Sequence, residues 1–129
     1  MKGYIVNIEK ETLENTDYRR VLYTAKNTQL VLMCIKPGDE IGNEVHGLDQ
    51  FIRVEHGEAS AILNNTDKHE LHSDYAIIIP AGTWHNIINT GDSDLKIYSL
   101  YSPPEHKAGT VHKTKANEKE EHFDGATTE

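Results

Sequence analysis

Apolar and polar positions alternate along this chain in short bursts, and no 3.6-residue period is sustained anywhere. Runs rich in β-branched and aromatic residues predict strands at 3–8, 18–24, 28–36, 50–55, 59–63, 68–71, 75–79, 84–89 and 95–101. Between them sit turn signals: Lys36-Pro37-Gly38-Asp39, Glu55-His56-Gly57-Glu58, Asn64-Asn65-Thr66-Asp67, Pro80-Ala81-Gly82 and Thr90-Gly91-Asp92. Several carry a glycine or asparagine able to take positive φ, which lets a strand reverse within a few residues. Only residues 9–18 admit a short helical turn. The pattern predicts an all-β sandwich or barrel.

Strand periodicity also assigns faces. If Gln50 points inward, so do Ile52 and Val54, while Phe51 and Arg53 point out. An inward His85 brings Ile87 with it, and a solvent-facing Lys96 turns Ile97, Ser99 and Tyr101 inward. The expected pocket is apolar with a few polar groups, bordered by Ile52, Ile87, Ser99 and Tyr101.

Length and composition narrow the picture. The 129 residues fit one domain, expected over 1–112 with the informative segments at 38–57 and 74–89. After Pro103-Pro104 the composition changes, and residues 113–129 contain a single large apolar side chain, Phe123. Such a tail buries little surface by itself and is expected to be flexible unless a partner orders it. The formal charge of -8 repels phosphate backbones and anionic lipid, so neither nucleic acid nor a membrane surface is an expected partner. A small-molecule ligand and a second copy of the chain are. The opening Met1-Lys2-Gly3-Tyr4-Ile5-Val6 is too short an apolar stretch for a secretion signal, which leads to a cytoplasmic expectation. Cys34, the one cysteine, lies in an apolar run and reads as a small buried hydrophobe.

Candidate chemistry gathers in two segments, 38–57 and 80–89. An extended Glu44-Val45-His46 puts Glu44 and His46 on one face, as two ligands of one ion require. Gln50 can return beside them after Gly47-Leu48-Asp49, and His85 opens an apolar run just past the Pro80-Ala81-Gly82 corner. Two imidazoles, a carboxylate and an amide carbonyl suit zinc, iron, manganese or nickel. Taken singly, each is as well read as a core histidine or a solvated loop residue satisfied by one hydrogen bond. The four at two linked spacings point to metal.

These spacings resemble the paired motifs of the cupin superfamily, G-x5-H-x-H-x3-E-x6-G and G-x5-P-x-G-x2-H-x3-N. Gly38, His46, Gly57, Pro80, Gly82, His85 and Asn89 match. Glu44 stands at the first histidine position, Gln50 at the glutamate position and Asp74 at the opening glycine of the second motif. The resemblance covers residues 30–101 and implies an antiparallel β-barrel, the double-stranded β-helix or jelly roll. It further implies one divalent metal ion, zinc favoured, on Glu44, His46, Gln50 and His85. The ligand set is similar to that of zinc-dependent phosphomannose isomerases, Q-x-H with a later Glu and His, with amide and carboxylate exchanged.

From this follows a metal-binding cupin with sugar or sugar-phosphate isomerase-like chemistry. Two other readings compete with it: a non-haem iron dioxygenase using two histidines and a carboxylate, and a non-catalytic binder of a carbohydrate or acid. No general base is identifiable, and Arg53 is expected outside the cavity, leaving only His106, Lys107 and Lys113 near the mouth. His106 and His112 flank a segment that would fold over the mouth, whereas His56 and His69 read as surface residues. Residues 3–8 and 18–24 are apolar enough to pair across a homodimer, as cupins commonly do.

Overall fold

The computed structural model describes residues 2–129, so Met1, the first residue of the expected domain, lies outside the described residues. Residues 3–7 form no strand, and the apolar segment expected to pair leads instead into helix α1, Ile8–Glu14. Asn7 caps it, its side chain accepting from the Lys10 backbone N–H at 3.2 Å, with Glu9 and Glu11 in the first turn. An acidic first turn behind an asparagine cap favours helix over strand, and Ile5, left fully exposed, packs on nothing.

Among the described residues nine antiparallel strands follow: β1 Arg19–Thr24, β2 Gln29–Ile35, β3 Asp49–His56, β4 Ala59–Leu63, β5 Asp67–Leu71, β6 Ala76–Ile79, β7 His85–Asn89, β8 Leu95–Ser102 and the short β9 Val111–His112. Six form a sheet in the order β6-β3-β8-β2-β1-β9, and three a second sheet in the order β5-β4-β7. Isolated bridges from the loop before β3, Glu40 to Ile88 and Glu44 to His85, extend the smaller sheet past β7. Asn64 and Asn65, at φ 53° and 67°, make the tight β4–β5 reversal.

The expected alternation holds along β3 and β8. Gln50, Ile52 and Val54 are buried while Phe51 and Arg53 are only half-buried, and Leu95, Ile97, Ser99 and Tyr101 point in. They meet Val31, Met33 and Ile35 of β2 and Ile87 of β7 in one apolar core. Cys34 is buried and unpaired, and burial pushes its thiol up.

Residues 18–24 are not a free edge. β1 lies between β2 and β9, and its far end is closed by Thr128, whose N–H donates to the Thr24 carbonyl at 2.8 Å. The C-terminal segment thus runs back along the barrel, with polar contacts where apolar burial is lacking. Phe123 N–H donates to the Glu105 carbonyl at 2.9 Å, and Lys115 Nζ reaches the Glu40 carbonyl at 2.5 Å.

Candidate metal centre

Backbone hydrogen bonds clamp the loop before β3 onto β7. Ile41 N–H donates to Ile87 O (2.9 Å), Glu44 N–H to His85 O (2.8 Å) and His85 N–H to Glu44 O (2.9 Å), while the Gly82 N–H at the proline corner donates to His46 O (2.8 Å). Residues distant in sequence therefore lie opposite one another: Glu44 faces His85 in register, and His46 is tied to the turn that launches β7. The His46 and His85 ring centroids stand 5.2 Å apart.

Each donor has its own constraint. His85 Nδ1 is 2.9 Å from the Thr83 carbonyl, so that nitrogen carries the proton and Nε2 is left with its lone pair. Burial lowers the His85 pKa, against the Thr83 hydrogen bond that raises it, and favours the neutral ring that ligation needs. Gln50 is 3% exposed; its amide N–H donates to Ser99 Oγ at 3.3 Å, but its buried carbonyl oxygen Oε1 has no partner. Tyr101 lies beside Gln50 in the β3–β8 register and meets the His46 ring edge-on at 6.2 Å, linking Gln50 to the histidine pair.

His46 is engaged on both nitrogens: Nε2 is 3.1 Å from Glu44 Oε2 and Nδ1 is 3.6 Å from Glu105 Oε2. The Glu44 hydrogen bond raises its pKa, with burial opposing. Glu44 thus lies against His46, and among the described residues no three His, Cys, Asp or Glu side chains already surround a common ion position. Ligation of Glu44 and His46 together would require the carboxylate to turn off Nε2, a side-chain rotation within a loop whose backbone is pinned.

Two glycine positions of the motifs explain themselves sterically. Gly57 sits at φ 105°, and a Cβ there would come 3.1 Å from the Asp94 carbonyl oxygen and the Leu95 Cα. Asp74, at the other glycine position, takes φ 74°, a left-handed conformation that aspartate tolerates better than most residues.

The Cupin domain family profile (Cupin_2) matches residues 31–101. The chain belongs to the cupin family. This cupin is 44% identical over 122 residues, 90% of its length, to the uncharacterized protein YrkC of Bacillus subtilis (strain 168), and spans 66% of that protein. It is 48% identical over 112 residues to the uncharacterized protein L612 of Acanthamoeba polyphaga mimivirus, covering 84% of this chain and 70% of L612. The crystal structure of BH2720 from Bacillus halodurans superposes with a TM-score of 0.88 at 49% identity, covering 90% of this chain and 92% of that one. The cupin therefore spans about two thirds of the length of the curated relatives it matches.

The open end of the cupin holds a cavity of about 700 Å³ lined by Arg19, Glu44, His46, Trp84, Glu105 and His106 with the C-terminal residues 118–122. This corrects two expectations. Ile52, Ile87, Ser99 and Tyr101 do point inward but lie in the packed interior, at most 3% exposed, and do not line the cavity. The mouth is charged, because polar loops, the tail and Arg19 at the start of β1 close the barrel there. His106 meets Tyr101 edge-on at 5.1 Å; burial, then the Arg19 charge, push its pKa down to about 3. His112 pairs with β1 opposite Arg19, and Lys107 faces Glu121 at 3.8 Å, outside the cavity lining.

Arg19 and Glu105 are mouth residues that sequence reasoning missed. For Arg19 a signal existed: Val21 must face the core, and period two then turns Arg19 inward. Glu105, past the double proline, belongs to no periodic run and offers none. Among the described residues, no helix is long and apolar enough to cross a membrane.

Proposed function

We propose that this cupin binds one divalent metal ion through Glu44, His46, Gln50 and His85, and is a small metalloenzyme with isomerase-like action on a sugar-sized substrate. Cupin domains often bind a metal ion, and the observation that carries the reading here is Gln50 Oε1. A buried carbonyl oxygen without a partner costs about 1–3 kcal/mol, and this one lies in the same buried neighbourhood as the His46–His85 pair. The donor set fits: two imidazole nitrogens, one carboxylate and one neutral oxygen suit zinc and its neighbours in the first transition row.

When bound, the ion would polarise a substrate carbonyl and so acidify the C–H next to it. Glu105 is placed to take up that proton: its side chain is 13% exposed, lines the cavity and is held from both sides by His46 and His122. A hydrogen bond from His122 at 3.0 Å and the His46 ring 3.6 Å away hold the carboxylate at the entrance.

The test is solvent exchange. Incubated in D2O with a panel of aldoses and ketoses, metal-loaded protein is expected to introduce deuterium at the carbon next to the carbonyl. Glu105→Gln should lower that rate at least about a hundredfold, in line with general acid–base contributions. Absence of exchange with every sugar, alongside oxygen uptake with iron, would transfer the reading to a dioxygenase.

A further inference from the structure

One feature of the mouth has no part in holding metal. Of the three arginines, Arg20 is exposed and the Arg53 side chain is 33% exposed, whereas Arg19 is 4% exposed at the start of β1. A buried guanidinium is costly unless paired. Its Cζ lies 5.3 Å from the Tyr18 ring centroid, and Nη1 is 3.3 Å from His112 Nδ1. Its anion is Glu118 of the C-terminal segment, whose Oε2 lies 2.5 Å from Nη1. That engagement is one-sided, since the buried Nε of Arg19 has no partner. The planar guanidinium fork matches a carboxylate through two parallel N–H bonds, and Glu118 uses only one edge of it.

The same cavity contains a second orphan. His106, lining the wall with Arg19, has a buried Nε2 without a partner. Glu118, by contrast, is replaceable: its side chain is 35% exposed and sits on a segment held by surface polar contacts. We propose that Arg19 is the anchor for a carboxylate on the ligand of this mouth, and that Glu118 occupies the anchor until the ligand displaces it. The inference rests on the mouth being the ligand site, and it narrows the sugar-sized ligand to one that carries a carboxylate, a sugar acid. A phosphate dianion suits the place less well, because Glu44, Glu105, Glu120 and Glu121 share the cavity and a carboxylate replaces the charge of Glu118 one for one.

Full-length protein stripped of metal and labelled with nitrogen-15 at arginine provides the test, with the monoanion glycolate as probe and its neutral amide and inorganic phosphate as controls at constant ionic strength. Glycolate is expected to move the Arg19 Nε–H resonance saturably, and at least tenfold more tightly in Glu118→Gln than in the natural protein. The amide and phosphate should leave it unmoved. Glu118→Ala serves as a second release variant, and an unchanged amide spectrum shows that either variant is folded. Equal glycolate affinity in the natural protein and both variants, no response at all, or a phosphate response as large as that to glycolate would overturn the anchor. Because the probe is read without metal, loss of metal binding with an intact Arg19 response would fault the metal site alone. The reverse pattern would fault only the anchor.

Discussion

Two buried side-chain amides, Asn89 at the corner ending β7 and Gln50 on the inner face of β3, are equally hidden and unequally satisfied. Asn89, 2% exposed, donates to the Ile35 carbonyl at 2.8 Å and the Ser93 carbonyl at 2.9 Å while accepting from the Gly91 N–H at 2.9 Å. Gln50, 3% exposed, makes one bond and leaves its carbonyl oxygen bare. The corner stitches β7, the end of β2 and the following turn into one unit. At the mouth, Arg19 Nε and His106 Nε2 are left over as well. Burial alone does not distinguish a structural polar group from one kept for a ligand; the tally of its hydrogen bonds does.

Substitutions at the two amides should separate these roles. Asn89→Ala removes three bonds and strands the Ile35 carbonyl, so urea denaturation should show a loss of about 3 kcal/mol, roughly 1 per bond, with metal affinity unchanged. Gln50→Leu removes an orphan along with one long bond, and its stability should stay within about 1 kcal/mol of the natural protein. Its metal affinity should nonetheless fall about tenfold or more. Equal destabilisation by both would break the comparison.

The smallest expected effect is on pH dependence. The pKa of His106 is pushed from its usual 6.5 down to about 3 in the folded protein, first by burial and then by Arg19. The unfolded chain therefore takes up that proton first, and stability falls as pH drops from about 6.5 toward 3. Denaturation midpoints collected across that window should decline less steeply for His106→Gln than for the natural protein. Identical slopes would mean that the ring is not held neutral.

Much of the fold is legible because its signals are local. Turn residues and period-two alternation locate β2 to β8 to within a residue or two, and the inward set of β3 and β8 follows from one choice of face. Residues 3–8 mislead because Tyr4-Ile5-Val6 looks like a strand, yet Asn7 caps a helix and no neighbouring strand is available. Glu44, His46, Gln50 and His85 stand out because two spacings converge, and the clamp of Glu44 on His85 brings two of them into register. Arg19 is recoverable only through the face that Val21 fixes two residues on. Glu118 hides in a tail whose course is set by polar contacts between residues far apart, which no local pattern encodes.

The most direct test of the metal site is elemental analysis of protein purified without added metal, followed by cobalt titration of the natural chain and of His46→Ala and His85→Ala. The expected result is one divalent ion per natural chain, with affinity reduced at least about tenfold in each variant. A natural chain that takes up no ion, or variants that bind as tightly as it does, would contradict convergence of these four side chains on a single ion.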